Sequence, residues 1–222
     1  MTRREREFMI LFNALWYKDF PITKDFLGFG TRAGWTLHVA TAVREATNLM
    51  GLFMTFETGG RTDGEIHMFD ETADSERQTW AKVEWEWTEA TRPKVNEFAK
   101  LRSAADAGRC QVAVFFGRYN TKKLDELLNI VSAHWTGAEK PLLCFFLERT
   151  GHARVPASTP KRRVPIFGKL LTYRFAPNQN GTTTMTRPRN QPAYPWNVKG
   201  TKWAAHRSLD LPVASFETEE EE

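Results

Sequence analysis

Two almost uninterrupted apolar runs, CQVAVFFGRY (110–119) and PLLCFFLER (141–149), constrain this chain more than any other feature. A strand with one wet face alternates polar and apolar residues, so a run without alternation must be covered on both faces. The first run is therefore expected as a central strand. Between the two, TKKLDELLNIVSAHW repeats apolar residues at helical spacing and predicts a helix, followed by a short linker at TGAEK. An α/β protein follows, its mixed central sheet flanked by helices.

The other elements are read in the same way. Phe8, Leu11, Phe12 and Leu15 form the stripe of a first helix that reaches about Tyr17 and is ended by Pro21. Residues 33–50 carry Trp35, Val39, Ala42, Val43, Ala46, Leu49 and Met50 at helical spacing, with Gly51 as the stop; this helix includes Glu45. LFMTFET, a GG turn, GEIHMFD and WAKVEWEW read as an antiparallel three-strand meander. Pro93 suits the first turn of a helix over 91–108, and VPIFGKLLTYRF is a late strand candidate.

Within AKVEWEW (81–87) the side-chain period of two sets Val83, Trp85 and Trp87 on one face and Lys82, Glu84 and Glu86 on the other. Neighbouring carboxylates repel unless water or a cation separates them, so this face is either a solvated surface or a metal site. With two cysteines and five scattered histidines the chain has no zinc-ligand spacing, and any metal would be held by oxygen. Cys110 and Cys144 lie inside the apolar runs and read as reduced, buried thiols, although neighbouring strands would also permit a bridge. No run approaches the roughly 18 apolar residues of a membrane span, and a soluble, cytoplasmic protein is expected.

The order helix, three-strand meander, helix, strand, with Asp63 at the start of the second strand and Glu84-Trp85-Glu86 on the third, resembles the PD-(D/E)xK nuclease superfamily over residues 33–118. The resemblance implies a restriction-endonuclease-like αβββαβ core with magnesium, or manganese, held by Asp63, Glu84 and Glu86 and completed by Glu45 of the preceding helix. Most members have lysine where this chain has Glu86, and some restriction endonucleases have glutamate. In this ExE variant Glu86 would act as general base or hold a second ion, and Lys82 or Lys94 would supply the cation. Asp63, Glu84, Glu86 and Lys82 are then the catalytic set, with Glu57 as a reserve ligand. His67 reads as a hydrogen-bonded structural residue, and Asp70, Glu71 and Asp74 as loop acids. The implied function is a magnesium-dependent nuclease, an endonuclease hydrolysing phosphodiester bonds in DNA. The alternative is a catalytically inactive protein of the same fold that binds nucleic acid or a protein partner. A homodimer is left open.

Charge divides the chain into three parts. Residues 149–209 hold twelve Lys/Arg and no Asp or Glu, residues 210–222 hold six acids and no base, and the remainder is close to neutral. The expected organisation is a nuclease-like core over 1–149, a basic, aromatic-containing extension over 150–209 packed on it, and an acidic, disordered tail over 210–222. Lys161, Arg162, Arg163, Lys169, Arg174, Arg187, Arg189, Lys199 and Lys202 are the candidate phosphate contacts, DNA being favoured over RNA. Phe167, Tyr173, Phe175, Tyr194, Trp196 and Trp203 would either pack on the body or stack on exposed bases.

Overall fold

Helix α1 (Arg3–Leu15) starts at a capping box: the Thr2 hydroxyl accepts from the Glu5 backbone N–H while the Glu5 carboxylate accepts from that of Thr2. Its apolar stripe, Phe8 and Phe12, is fully buried. Helix α2 (Arg32–Leu49) is capped by the Thr31 hydroxyl and ends before Gly51, whose φ of 70° suits glycine. The computed structural model describes residues 1–21, 31–57, 62–68, 78–92, 94–154, 163–178 and 180–199.

The strands are β1 (Phe53–Phe56), β2 (Gly64–Met68), β3 (Gln78–Glu89), β4 (Val112–Asn120), β5 (Leu142–Arg154), β6 (Arg163–Pro177) and β7 (Thr183–Pro192). They form one seven-stranded mixed sheet in chain order. β1, β2 and β3 are an antiparallel meander; β3, β4 and β5 are parallel; β6 and β7 return antiparallel. The parallel pairs are connected through α3 (Glu97–Asp106) and α4 (Leu124–Trp135).

Alternate residues of the apolar runs enter two separate cores, which is why those runs lack polar positions. Val112, Val114, Phe116, Leu143 and Phe145 pack with α1 and α2. Ala113, Phe115, Cys144 and Phe146 pack with Phe98 and Leu101 of α3 and Leu127, Val131 and Trp135 of α4. In the first core the rings of Phe12, Phe116 and Phe145 have centroids 4.5–4.7 Å apart; each buried phenylalanine contributes about 1.5–3 kcal/mol. A bulge in β3 leaves Trp80 between residues paired with Ile66 and His67, so Trp80 and Ala81 both serve this core.

Two expectations change, and one open alternative closes. Helix α3 starts at Glu97, later than its proline suggested; Pro93 itself lies outside the described residues. The boundary at 149/150 falls inside β5, and β6 and β7 complete the same sheet rather than appending to it. Phe167, Tyr173, Phe175 and Tyr194 are core residues, and Trp196 stacks on Tyr194 at 4.7 Å, so these aromatics pack rather than present stacking faces. Strand β7 carried no alternation and two prolines, Pro188 and Pro192, which an edge strand tolerates because one side of its backbone needs no partner. Cys110 and Cys144 are both buried and free. The acidic tail, Trp203 and the loop acids Asp70, Glu71 and Asp74 lie outside the described residues, as do Lys161, Arg162 and Lys202; Arg163 begins β6. Among the described residues no helix is long and apolar enough to cross a membrane.

Candidate active site

Asp63 immediately precedes β2, and Glu84 lies mid-way along β3, one position past the Gly64–Val83 pair. This register brings the two carboxyls together. One Asp63 oxygen accepts from the Trp85 backbone N–H at 2.7 Å, which fixes the side chain across the strand pair. Glu84 is 1% exposed and lies under α3, where Lys100 Nζ stands 3.6 Å from one of its oxygens; the other is buried without a hydrogen-bond partner.

Burial and the Asp63 charge push the Glu84 carboxyl up to about 8, with the Lys100 charge opposing them. Burial also raises Asp63, while the Trp85 N–H and the hydrogen bond with Glu84 pull it back. The raised Glu84 carboxyl and its hydrogen bond with Asp63 favour a proton held by the pair at neutral pH. Two carboxylates in one poorly solvated place cannot both be ionised without a counter-cation.

Glu97 and Lys100, in the first turns of α3, are the members that sequence reading missed. Their carboxylate and ammonium are 3.6 Å apart, and the Glu97 charge raises both Asp63 and Glu84. The available signal was EFAK, an acid and a base three residues apart at the start of the helix after the acidic strand.

The other predicted residues are placed differently. Glu86 accepts a hydrogen bond from the Thr88 backbone N–H and faces Arg32, at the start of α2, at 3.5 Å. Glu84 thus answers to α3 and Glu86 to α2. Lys82, 6% exposed, is ion-paired with Glu65 of β2. Lys94 is exposed in the turn before α3. Glu45 is bound to Lys18 at 2.9 Å and does not line the groove that holds Asp63; one residue earlier, Arg44 does. His67 is held by the hydroxyls of Thr55 at 2.9 Å and Thr79 at 3.3 Å.

Asp63 looks onto a groove of about 870 Å³ between α2 and the meander, lined also by Arg32, Arg44, Phe56, Glu57, Trp85 and Trp87. Glu57 holds a left-handed backbone, φ 50°, and its N–H donates to the Asp63 carbonyl at 3.2 Å. On the α3 side a cleft of about 350 Å³ is lined by Thr62, Lys82, Asn96, Lys100, Ser103 and Arg109. Among the described residues no three His, Cys, Asp or Glu side chains are grouped to hold a metal ion, so Asp63 and Glu84 stand as a pair. Of the predicted phosphate contacts, Lys169, Arg187, Arg189 and Lys199 are exposed, whereas Arg174 is bound to Glu5 at 2.7 Å. No family model matches the chain, and no curated protein sequence matches it.

Proposed function

We propose that the chain is a magnesium-dependent nuclease hydrolysing phosphodiester bonds in DNA, with a restriction-endonuclease-like core. The observation that carries this reading is the meeting of Asp63 and Glu84 beside Lys100. Magnesium takes one or two carboxylates and fills its remaining positions with water and phosphate oxygens, so this donor pair, with its unpartnered Glu84 oxygen, fits it. When bound, the ion would neutralise charge on the scissile phosphate and acidify a water.

The chain's own residues supply the rest. Glu84 would hold the ion as carboxylate, without its proton, and Asp63 is fixed by the Trp85 N–H. Lys100, on α3, would take the place of the lysine missing from the triplet and orient the attacking water. Lys82 and Arg109, lining the adjoining cleft, add positive charge beside the carboxylates. Lys169, Arg187, Arg189 and Lys199 would contact the DNA backbone farther out. Glu86, held by Thr88 and Arg32, would position Arg32 rather than activate water.

The 1% exposure of Glu84 favours a second reading, an inactive protein of this fold that binds nucleic acid, because a metal must reach that carboxyl. Cleavage of plasmid and oligonucleotide DNA with magnesium or manganese separates the two. The nuclease loses at least about 1000-fold in rate on Asp63→Ala or Lys100→Ala and much less on Glu86→Ala. A wild type that cuts no single-stranded, duplex or branched DNA with either metal is the binding protein.

A further inference from the structure

The carboxyl ends of the three parallel strands carry a second cluster, composed of cations. Arg118 on β4 and Arg149 on β5 stand beside Glu89 of β3 and Arg92 of the turn that follows it. The Ala90 N–H donates to the Arg118 carbonyl at 3.0 Å, which folds this turn over the end of β4. Arg149 is ion-paired with Glu89; their side chains are 15% and 11% exposed. Arg118 has no such partner: among the described residues its guanidinium makes no hydrogen bond or ion pair, and its Nε is buried. The Arg149 Nε and the hydroxyl of Thr91, a residue of the same turn, are likewise buried and unpartnered. Glu89, paired with Arg149, and Glu86, paired with Arg32, both act on the Arg118 charge, as does Arg92 with the opposite sign.

Arginine does not relieve such a situation by losing its proton. Burial and the Arg149 charge lower the pKa of Arg118, but it remains a cation at any physiological pH. The guanidinium is half-buried with its Nε closed off from water and unpartnered, which leaves donor capacity that an anion from outside the chain can take up. The donors also match in kind: planar guanidiniums and a hydroxyl recognise a tetrahedral oxyanion, and the carboxyl ends of parallel strands are where α/β sheets hold ligands.

We propose that Arg118, with Arg149, Arg92 and Thr91, forms a binding site for a phosphate group, carried either by a nucleic-acid backbone or by free phosphate. The site needs no metal and shares no residue with the carboxylate pair.

The test uses the full chain in EDTA, so that loss of metal chemistry cannot mimic its failure. Inorganic phosphate is titrated calorimetrically against chloride at matched ionic strength, and a short oligonucleotide by fluorescence anisotropy. Arg118→Met weakens phosphate binding by about 10- to 100-fold, as loss of charge-assisted hydrogen bonds requires. Arg92→Gln, at an exposed turn position that the fold does not need, weakens it by a smaller factor. Equal weakening of the oligonucleotide identifies the backbone as the source; an oligonucleotide unaffected by either change identifies free phosphate. A wild type that does not bind phosphate, or variants that bind both probes as tightly as wild type, overturns the site.

Discussion

The Asp63–Glu84 pair and the Arg118–Arg149 pair pose one electrostatic problem with opposite signs at neighbouring places in the same sheet. Each sets like charges together with little water. The carboxyls can solve it themselves, because a proton on Glu84 removes one charge. The guanidiniums cannot, so one is satisfied by Glu89 and the other is left to an external anion. On the two proposals above, the acidic pair would be a site whose state follows pH and metal, and the basic pair one whose state follows anions.

The largest separation of the two arginines should come from replacing each by methionine. Arg149→Met strands Glu89 and costs about 3–5 kcal/mol in urea unfolding. Arg118→Met strands nothing and relieves repulsion, so in buffer free of phosphate it gains on the order of 1 kcal/mol. Equal destabilisation by both would mean that Arg118 has a protein partner.

The acidic pair sharpens the contrast through pH. Glu84 has its carboxyl at about 8 when folded and an ordinary value of 4.5 when unfolded, so between these the folded chain holds the extra proton. Its stabilising contribution is complete below about pH 4.5 and is lost as pH rises through about 8. In EDTA the wild type should lose a few kcal/mol over that window relative to Glu84→Gln, which lacks the titrating group. Parallel pH profiles for the two proteins would refute the buried proton. The smallest effect is expected at the sheet's far edge: Arg187→Gln and Arg189→Gln should each reduce the salt dependence of duplex DNA binding by about 0.9 in log–log slope. Removing the whole basic segment would be uninformative, because β6 carries Phe167, Leu171, Tyr173 and Phe175 of both cores.

The parts of this fold that could be read from sequence are those in which local pattern and tertiary burial agree. The runs around Val114 and Phe145 announced strands covered on both sides, and α2 announced itself by its stripe. Strand β7 was not readable because an edge strand's position is set by the neighbour it pairs with, β6, and not by its own residues. The acidic site was readable in part. The resemblance singled out Asp63 and Glu84, but the period of two also grouped Glu84 with Glu86, and only helix placement separates them: α3 sets Lys100 on one, α2 sets Arg32 on the other. Lys100 itself lay one helix beyond the motif, a position that no strand period reaches. Arg118 was hidden for the opposite reason, at the polar end of a run read for its apolar residues.

The central claim is that Asp63 and Glu84 exchange their shared proton for a divalent cation, and calorimetric titration of manganese tests it most directly. At pH 7, in two buffers of different ionisation enthalpy, the wild type should bind with release of close to one proton, and Asp63→Ala and Glu84→Gln should each weaken binding by at least about tenfold. Binding unchanged in both variants, or binding without proton release, would contradict it.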